Sequence, residues 1–226
     1  MPSLAQYLES QVAPLPDGPI KARARGNLDV MHSIAAELVK IANDVNLSPA
    51  GKRSKVADTI KPHLHHVMRS DGLFDQALAK LSDRESGLAS RSTLDEKRAP
   101  IRAEIRAAIK PMSRGDHVAL VQDPNTDPEI LESIIEAPSM LHGVDADLRV
   151  DAAKRLAALR NPGAVAIIQQ NREALQVVRS TAEALRDQIG EAVGLRNRRE
   201  VDAMVNAHIT DRRHIDADVT RSVETI

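Results

Sequence analysis

Cysteine and tryptophan are absent from this sequence of 226 residues, and its only larger aromatic side chains are Tyr7 and Phe74. Without cysteine there are no disulfides, thiolate metal centres or thiol nucleophiles, which fits a reducing compartment. With so few rings, core volume must come from Ala, Leu, Val and Ile, and small aliphatic side chains suit closely approaching helices better than a sandwich. An excess of either charge is missing too: 31 basic and 32 acidic residues leave a formal net charge of −1, so the whole molecule has no field to draw nucleic acid or an anionic membrane. No window approaches the roughly 20 apolar residues that span a bilayer. Residues 1–13 lack the basic stretch and apolar run of a signal peptide, so the sequence reads as a protein made and kept in the cytoplasm, with no membrane partner.

What is present is 42% hydrophobic residues, enough for a buried core, recurring in steps of three and four. Ser3 and Gln6 have capping-box spacing around Leu4 and Leu8, which predicts a short helix ending at Pro14. The cluster Pro14, Pro16, Asp17, Gly18 and Pro19 predicts a stiff linker, with Pro19 suited to open the next helix. From Ile20 onward, Ala24, Leu28, Met31, Ile34, Ala35, Leu38, Ile41 and Val45 form the stripe of a long amphipathic helix. Ser48 and Pro49 predict another start, with Val56, Ile60, Leu64 and Val67 on one face, a kink at Pro62 and a stop at Asp71-Gly72. Leu73, Ala77, Leu78 and Leu81 predict a further short helix. Thr93 and Glu96 form a second capping-box spacing ahead of Ile101, Ile105 and Ile109, a segment interrupted at Pro100 and ended by Pro111.

Pro124, Pro128 and Pro138 divide the following stretch into short helices opened by caps such as Ser113 and Asp127. Residues 147–160 read as helical, Asn161-Pro162-Gly163 breaks or bends the chain, and a long helix follows over 164–194. Ile168, Leu175, Val178, Ala182, Leu185, Ile189 and Ala192 keep a heptad-like spacing there, which makes Leu175, Val178, Leu185 and Ile189 candidate partner contacts in a coiled-coil seam. The stripe restarts in another phase at Val201, Val205 and Ile209, as a second helix or a stutter. Beyond it helical periodicity is lost. Ile215, Val219 and Val223 are too sparse for a core of their own and predict a frayed tail or an arm that orders on a neighbouring subunit. The expected fold is all-α, a multi-helix bundle with at least one long helix and a cluster of short helices in the middle. Its segments are 1–19 (short helix and linker), 20–112 (helical bundle), 113–160 (short helices), 161–210 (long helix or helix pair) and 211–226 (arm).

Charge is unevenly spread. Residues 20–69 carry a local excess of +5 and residues 116–151 a local excess of −8, opposite patches able to steer like subunits or hold one domain against another. Lys21, Arg23, Arg25, Lys52, Arg53 and Lys55 form a basic group able to touch phosphates, and Arg196, Arg198, Arg199, Arg212 and Arg213 form another. Neither contains stacking aromatics, which argues against single-strand or RNA recognition and leaves loose contact with duplex DNA.

Catalytic motifs are missing. His63, His65 and His66 lack the i, i+4 spacing of a helical ligand pair, and like the other histidines they read as polar surface residues, so no metal and no cofactor is expected. Asp123, Asn125 and Asp127 imitate the start of a calcium loop, but Pro128 and Ile134 occupy the positions that need Gly and a bidentate Glu. Asp116 reads as a first-turn acid beside a helix dipole. There is no phosphate loop, nucleophile elbow or zincin motif, so neither an enzyme nor a small-molecule substrate is expected.

The run IRAEIRAAIK-PMSRGDHVALVQ, followed by a short helix and the turn Ala137, Pro138, Leu141 and Gly143, resembles the helical proteins encoded among the head and tail genes of tailed bacteriophages. Asn46 to Lys52 resembles a helix start common in such proteins, with departures at Ala50 and Val144 where an acid and a Leu are expected. The resemblance covers about a quarter of the chain and lends no catalytic residues. It implies a structural or assembly protein of a phage particle, as a cement, neck or internal virion protein or as a scaffold. It further implies self-association and contact with other virion or assembly proteins, in the host cytoplasm during assembly and then in the virion. The alternative is a cytosolic regulator or adaptor that binds DNA or a host protein through the basic helical face.

Overall fold

A computed structural model of the chain describes residues 3–90, 98–209 and 211–226, and these form α-helices, one short 3-10 turn and no strand. The all-α expectation holds. The expected capping box at Thr93 and Glu96 lies outside the described residues. The chain divides into two compact units. The first joins 1–80 to 170–226, and the second is 81–169, so the first is discontinuous where the sequence reading is sequential.

The first unit begins with α1 (Leu4–Val12), whose Ser3 and Gln6 do make the reciprocal capping box, and α2 (Pro19–Asn43), opened by Pro19. Leu8 and Val12 of α1 and Ala24, Leu28, Met31, Ile34 and Ile41 of α2 are buried. Two members of the expected stripe fall elsewhere: Ala35 lies on the exposed face, and Val45 is 92% exposed because α2 has already ended at Asp44. Ser48 caps α3 (Pro49–Ile60) by accepting from the Gly51 N–H.

Pro62 does more than kink its helix. Lacking an N–H, it sits in a 3-10 turn (Lys61–His63) that separates α3 from α4 (Leu64–Ser90). Asp71-Gly72, by contrast, stops nothing. α4 continues through it, burying Leu73, Ala77 and Leu81 on the face that already holds Leu64 and Val67. A helical glycine costs about 1 kcal/mol against alanine, less than burying one leucine contributes. The expected short helix at Leu73 to Leu81 is therefore the continuation of α4.

The long helix α10 (Pro162–Val193) contributes Leu175, Val178, Leu185 and Ile189 to the first unit, and all four are buried in that unit's own core. They are not free to form a seam with another subunit. After Gly194 the chain starts again in α11 (Arg198–His208), which resolves the change of phase as a second helix with Val201 and Val205 inward. Residues 213–224 form α12 (Arg213–Glu224) rather than a tail or arm. Ile215, Val219 and Val223, one turn apart, are buried, and α12 packs against α2. Lys80 Nζ donates to the Val223 and Glu224 carbonyls at 2.8 and 3.0 Å, satisfying the orphan end of α12. Gly72 eases this docking: a Cβ there would lie 3.2 Å from Val219 Cγ2, close enough that Val219 would have to shift by a few tenths of an ångström.

A thin polar chain crosses this core. Asn27 Nδ2 donates to Thr181 Oγ1 and Ser70 Oγ donates to Asn27 Oδ1, each at 3.1 Å, with all three residues buried. It ties α2, α4 and α10 into one register, because any slip leaves buried donors unmet.

The second unit contains the short helices expected from the prolines: α5 (Ala99–Ile109), α6 (Arg114–Gln122), α7 (Pro128–Glu136), α8 (Ser139–His142) and α9 (Ala146–Arg160). Pro100 lies in the first turn of α5 and opens it, where the sequence reading had it interrupt. Ser113 forms a capping box with Asp116, and Asp127 accepts from the Glu129 N–H. At Gly143, φ of 74° makes the left-handed turn that ends α8. Ile109, Val121, Leu131, Ile134, Val144, Leu148, Ala152 and Leu156 make the aliphatic core.

Beside that core sits a buried charge. Ile101 is exposed, and the next residue, Arg102, is buried instead, its side chain 4% accessible. Its guanidinium donates to Glu129 at 2.7 Å, to Glu132 at 2.8 Å and to Glu136. Arg98 and Arg160 pair with Glu129 and Glu132 from either side. The hydrogen bond from Arg102 holds the Glu129 carboxyl below its usual range, outweighing the effect of burial. Arginines of α9 also finish its neighbours: Arg155 donates to the Val121 carbonyl at the end of α6, and Arg149 to the Ile135 carbonyl at the end of α7.

Candidate functional site

A groove of about 540 Å³ opens in the first unit beside the C-terminal half of α2. Leu38, Ile41 and Ala42 of α2, Val56 and Ala57 of α3 and the last turn of α10 line it, and Lys52, Arg53 and Glu191 are its charged members. The local sequence explains its shape. Asp44 ends α2, and the Ser48 cap starts α3 soon afterwards, so α3 folds back along α2. Lys52 Nζ donates to the Ala42 carbonyl at 2.6 Å, covering a C-terminal orphan of α2, and Lys55 Nζ lies 3.9 Å from Asp44. Next to the groove, α2 leaves apolar surface uncovered: Ala35, Val39 and Ala42 are exposed at helical spacing, with Val39 60% accessible, and Val45 follows.

The six basic candidates do not form one patch. Arg23 lies nineteen residues before Ala42 on α2, about 28 Å at ~1.5 Å per residue, so Lys21, Arg23 and Arg25 belong to one end and Lys52, Arg53 and Lys55 to the other. Several are engaged: Lys21 pairs with Asp17 at 3.0 Å and Arg23 with Asp218 at 2.9 Å. Arg25 and Arg53 are exposed. The second arginine group is engaged in part too, Arg198 with Asp187 and Glu183, Arg212 with Asn206 and Arg213 with Asp211.

The acidic run of 116–151 also changes meaning. Glu129, Glu132 and Glu136 are ligands of Arg102, and Asp116 and Asp127 are helix caps. Asp123 accepts from the Asn125 N–H, as in an ordinary turn. The histidines are not all surface residues: His117 Nε2 meets the Ile109 carbonyl at 3.0 Å, and His142 bridges the Ala137 carbonyl and the Val144 N–H, both rings being buried. Burial lowers the pKa of His142. No group of three or more His, Asp or Glu able to hold a metal occurs among the described residues. Nor, among them, is any helix long and apolar enough to cross a membrane.

The groove was only half visible in the sequence. Lys52 and Arg53 stand out there, whereas Val39 falls off the main stripe of α2 and signals nothing until the other faces are covered. Compared with protein-family models, with curated proteins and with solved structures, the chain finds no match in any of the three.

Proposed function

We propose that this protein is a non-catalytic assembly component that works by helix packing, of the structural and morphogenesis kind encoded among the head and tail genes of tailed bacteriophages. The observation that carries the reading is the apolar groove together with the uncovered Val39 face of α2. Such surface is expected where a helix of a partner is received. The commitment of Glu129, Glu132 and Glu136 to arginine supports a non-catalytic reading, because those carboxylates have no proton-transfer role left to play.

The occupant of the groove is α1 of a second copy. Leu4 and Tyr7 point outward from α1, 61% and 54% exposed, and Glu9 is the one charged residue of that helix, opposite in sign to Lys52 and Arg53. α1 lies near the first half of α2, where Glu9 is 3.4 Å from His32, and the groove lies at the second half. Antiparallel pairing of two α2 helices about a two-fold axis brings each α1 to the other copy's groove. Sedimentation equilibrium should show a dimer that Tyr7→Glu weakens about tenfold or more, and mass spectrometry of purified particles should find the chain. A protein that stays monomeric at about 100 μM and is absent from particles rules the reading out.

A further inference from the structure

The 3-10 turn and the start of α4 place His63, His65 and His66 beside Arg69, and α2 and α12 bring Arg23 and Asp218 to them. Arg23 Nη2 donates to Asp218 Oδ2 at 2.9 Å, and Arg69 Nε lies 3.4 Å from the same oxygen without making a hydrogen bond. Two guanidinium groups therefore depend on one carboxylate oxygen. Arg23 Nε, Arg69 Nε and His66 Nδ1 are all buried without a hydrogen-bond partner among the described residues. Buried donors are normally paired, because leaving one unmet forfeits its hydration outright. Two unmet guanidinium N–H groups beside an imidazole nitrogen that is also unpartnered call for an acceptor that the chain does not supply.

The site borders solvent, although its unmet nitrogens are themselves covered, and it is electropositive. The side chains of Arg23 and Arg69 are 14% and 28% accessible, and that of Asp218 is 36% accessible. The rings of His65 and His66 lie 4.2 Å apart. Burial first, then the neighbouring His65, Arg23, His63 and Arg69, pushes His66 down to about 4, and burial lowers His63 and His65 as well. Negative charge is what the group lacks. A second carboxylate would bring only two oxygens, whereas two guanidinium forks and two imidazoles match the several oxygens of a tetrahedral anion.

We infer that Arg23, Arg69, His65 and His66 form a binding site for a phosphate-class oxyanion, in which Asp218 holds the arginines until the anion displaces it. The inference is independent of the groove at the other end of α2.

The test is calorimetric titration of the full chain with inorganic phosphate at constant ionic strength, alongside histidine NMR titration. The wild type should bind saturably, Arg69→Gln should bind about tenfold more weakly and Asp218→Asn about fivefold or more tightly, since one loses a charged donor and the other a competing charge. Bound phosphate should also raise the His66 titration above about 5. A parallel titration with phenyl phosphate separates the sources: binding tighter than inorganic phosphate assigns a phosphomonoester, and equal or weaker binding assigns the free ion. No saturable binding by either the wild type or Asp218→Asn up to about 10 mM overturns the site, as does binding that Arg69→Gln leaves unchanged. Because Asp218→Asn is expected to gain affinity, a general loss of folding cannot imitate the predicted pattern.

Discussion

The two units of this chain each bury an arginine among carboxylates, and differ in what surrounds it. The second buries an arginine among three glutamates and finishes its short helices with arginines from α9. The first buries Arg186 between Asp71 and Asp202, runs the neutral chain of Asn27, Ser70 and Thr181 through its core, and leaves Arg23 and Arg69 sharing Asp218 at the edge. A local charge excess in the sequence therefore says little about which charges are already paired within the fold. Arg98, Arg102 and Arg160, which lie outside residues 116–151, offset three charges of that stretch's excess of −8. The smaller positive excess of 20–69 includes Arg23 and Arg69, which share the single carboxylate of Asp218.

The strongest way to break the comparison is at Arg102. Arg102→Ala leaves three carboxylates facing one another and should destabilise the second unit by about 3–5 kcal/mol, read as faster hydrogen exchange over 98–160 with little change in α2. Replacing Arg102 with Met together with Gln at the three glutamates should recover much of that loss, since an intact apolar or neutral cluster avoids the buried unpaired charge. If Arg102→Ala is neutral, the network is a surface feature and contributes nothing to the second unit's core.

Acid should separate the units next. His66 titrates near 4 in the folded chain against about 6.5 when unfolded, so between those values the unfolded chain binds a proton that the folded one refuses. Stability of the first unit should fall as pH drops through that window. Glu129 has the same sign in a lower window: its folded value is held below the unfolded one of 4.5, so its contribution is present above 4.5 and disappears as pH falls through the lower folded value. The first unit should therefore lose exchange protection at a higher pH than the second loses its Glu129 contribution. His142 also adds a smaller loss to the second unit in the upper window.

The smallest effect expected is at Gly72. Gly72→Ala pushes a methyl group against Val219 at a cost of about 1–3 kcal/mol, partly offset by the ~1 kcal/mol that alanine gains in a helix, so residues 211–226 should become modestly more sensitive to protease. Unchanged protection would mean that α12 adjusts freely on α4.

Helix starts were legible in the sequence because caps are local chemistry: Ser3 with Gln6, Pro19, Ser48 with Pro49, Ser113 and Asp127 each act where their spacing put them. What an apolar stripe packs against was not legible. Leu175, Val178, Leu185 and Ile189 have the spacing of an intermolecular seam, and only the path of α2, α4 and α11 makes them a core. Ile215, Val219 and Val223 looked sparse because three inward residues suffice when a glycine lets the helix come close. Arg102 was hidden for the same reason: a charge between two isoleucine positions reads as surface until three glutamates of α7 meet it. The candidate groove required both kinds of knowledge, Lys52 and Arg53 from the sequence and the uncovered face of α2 from the fold.

The central claim is that the working surface is the Val39 face and its groove, while the heptad-like stripe of α10 is interior. Paired measurement of sedimentation equilibrium and thermal unfolding on Val39→Glu and Leu185→Ala tests it directly. The account predicts that Val39→Glu weakens self-association about tenfold or more at unchanged stability, and that Leu185→Ala costs about 2–5 kcal/mol of stability without altering association of the folded chain. Loss of association in Leu185→Ala at full stability, with Val39→Glu unaffected, would contradict it.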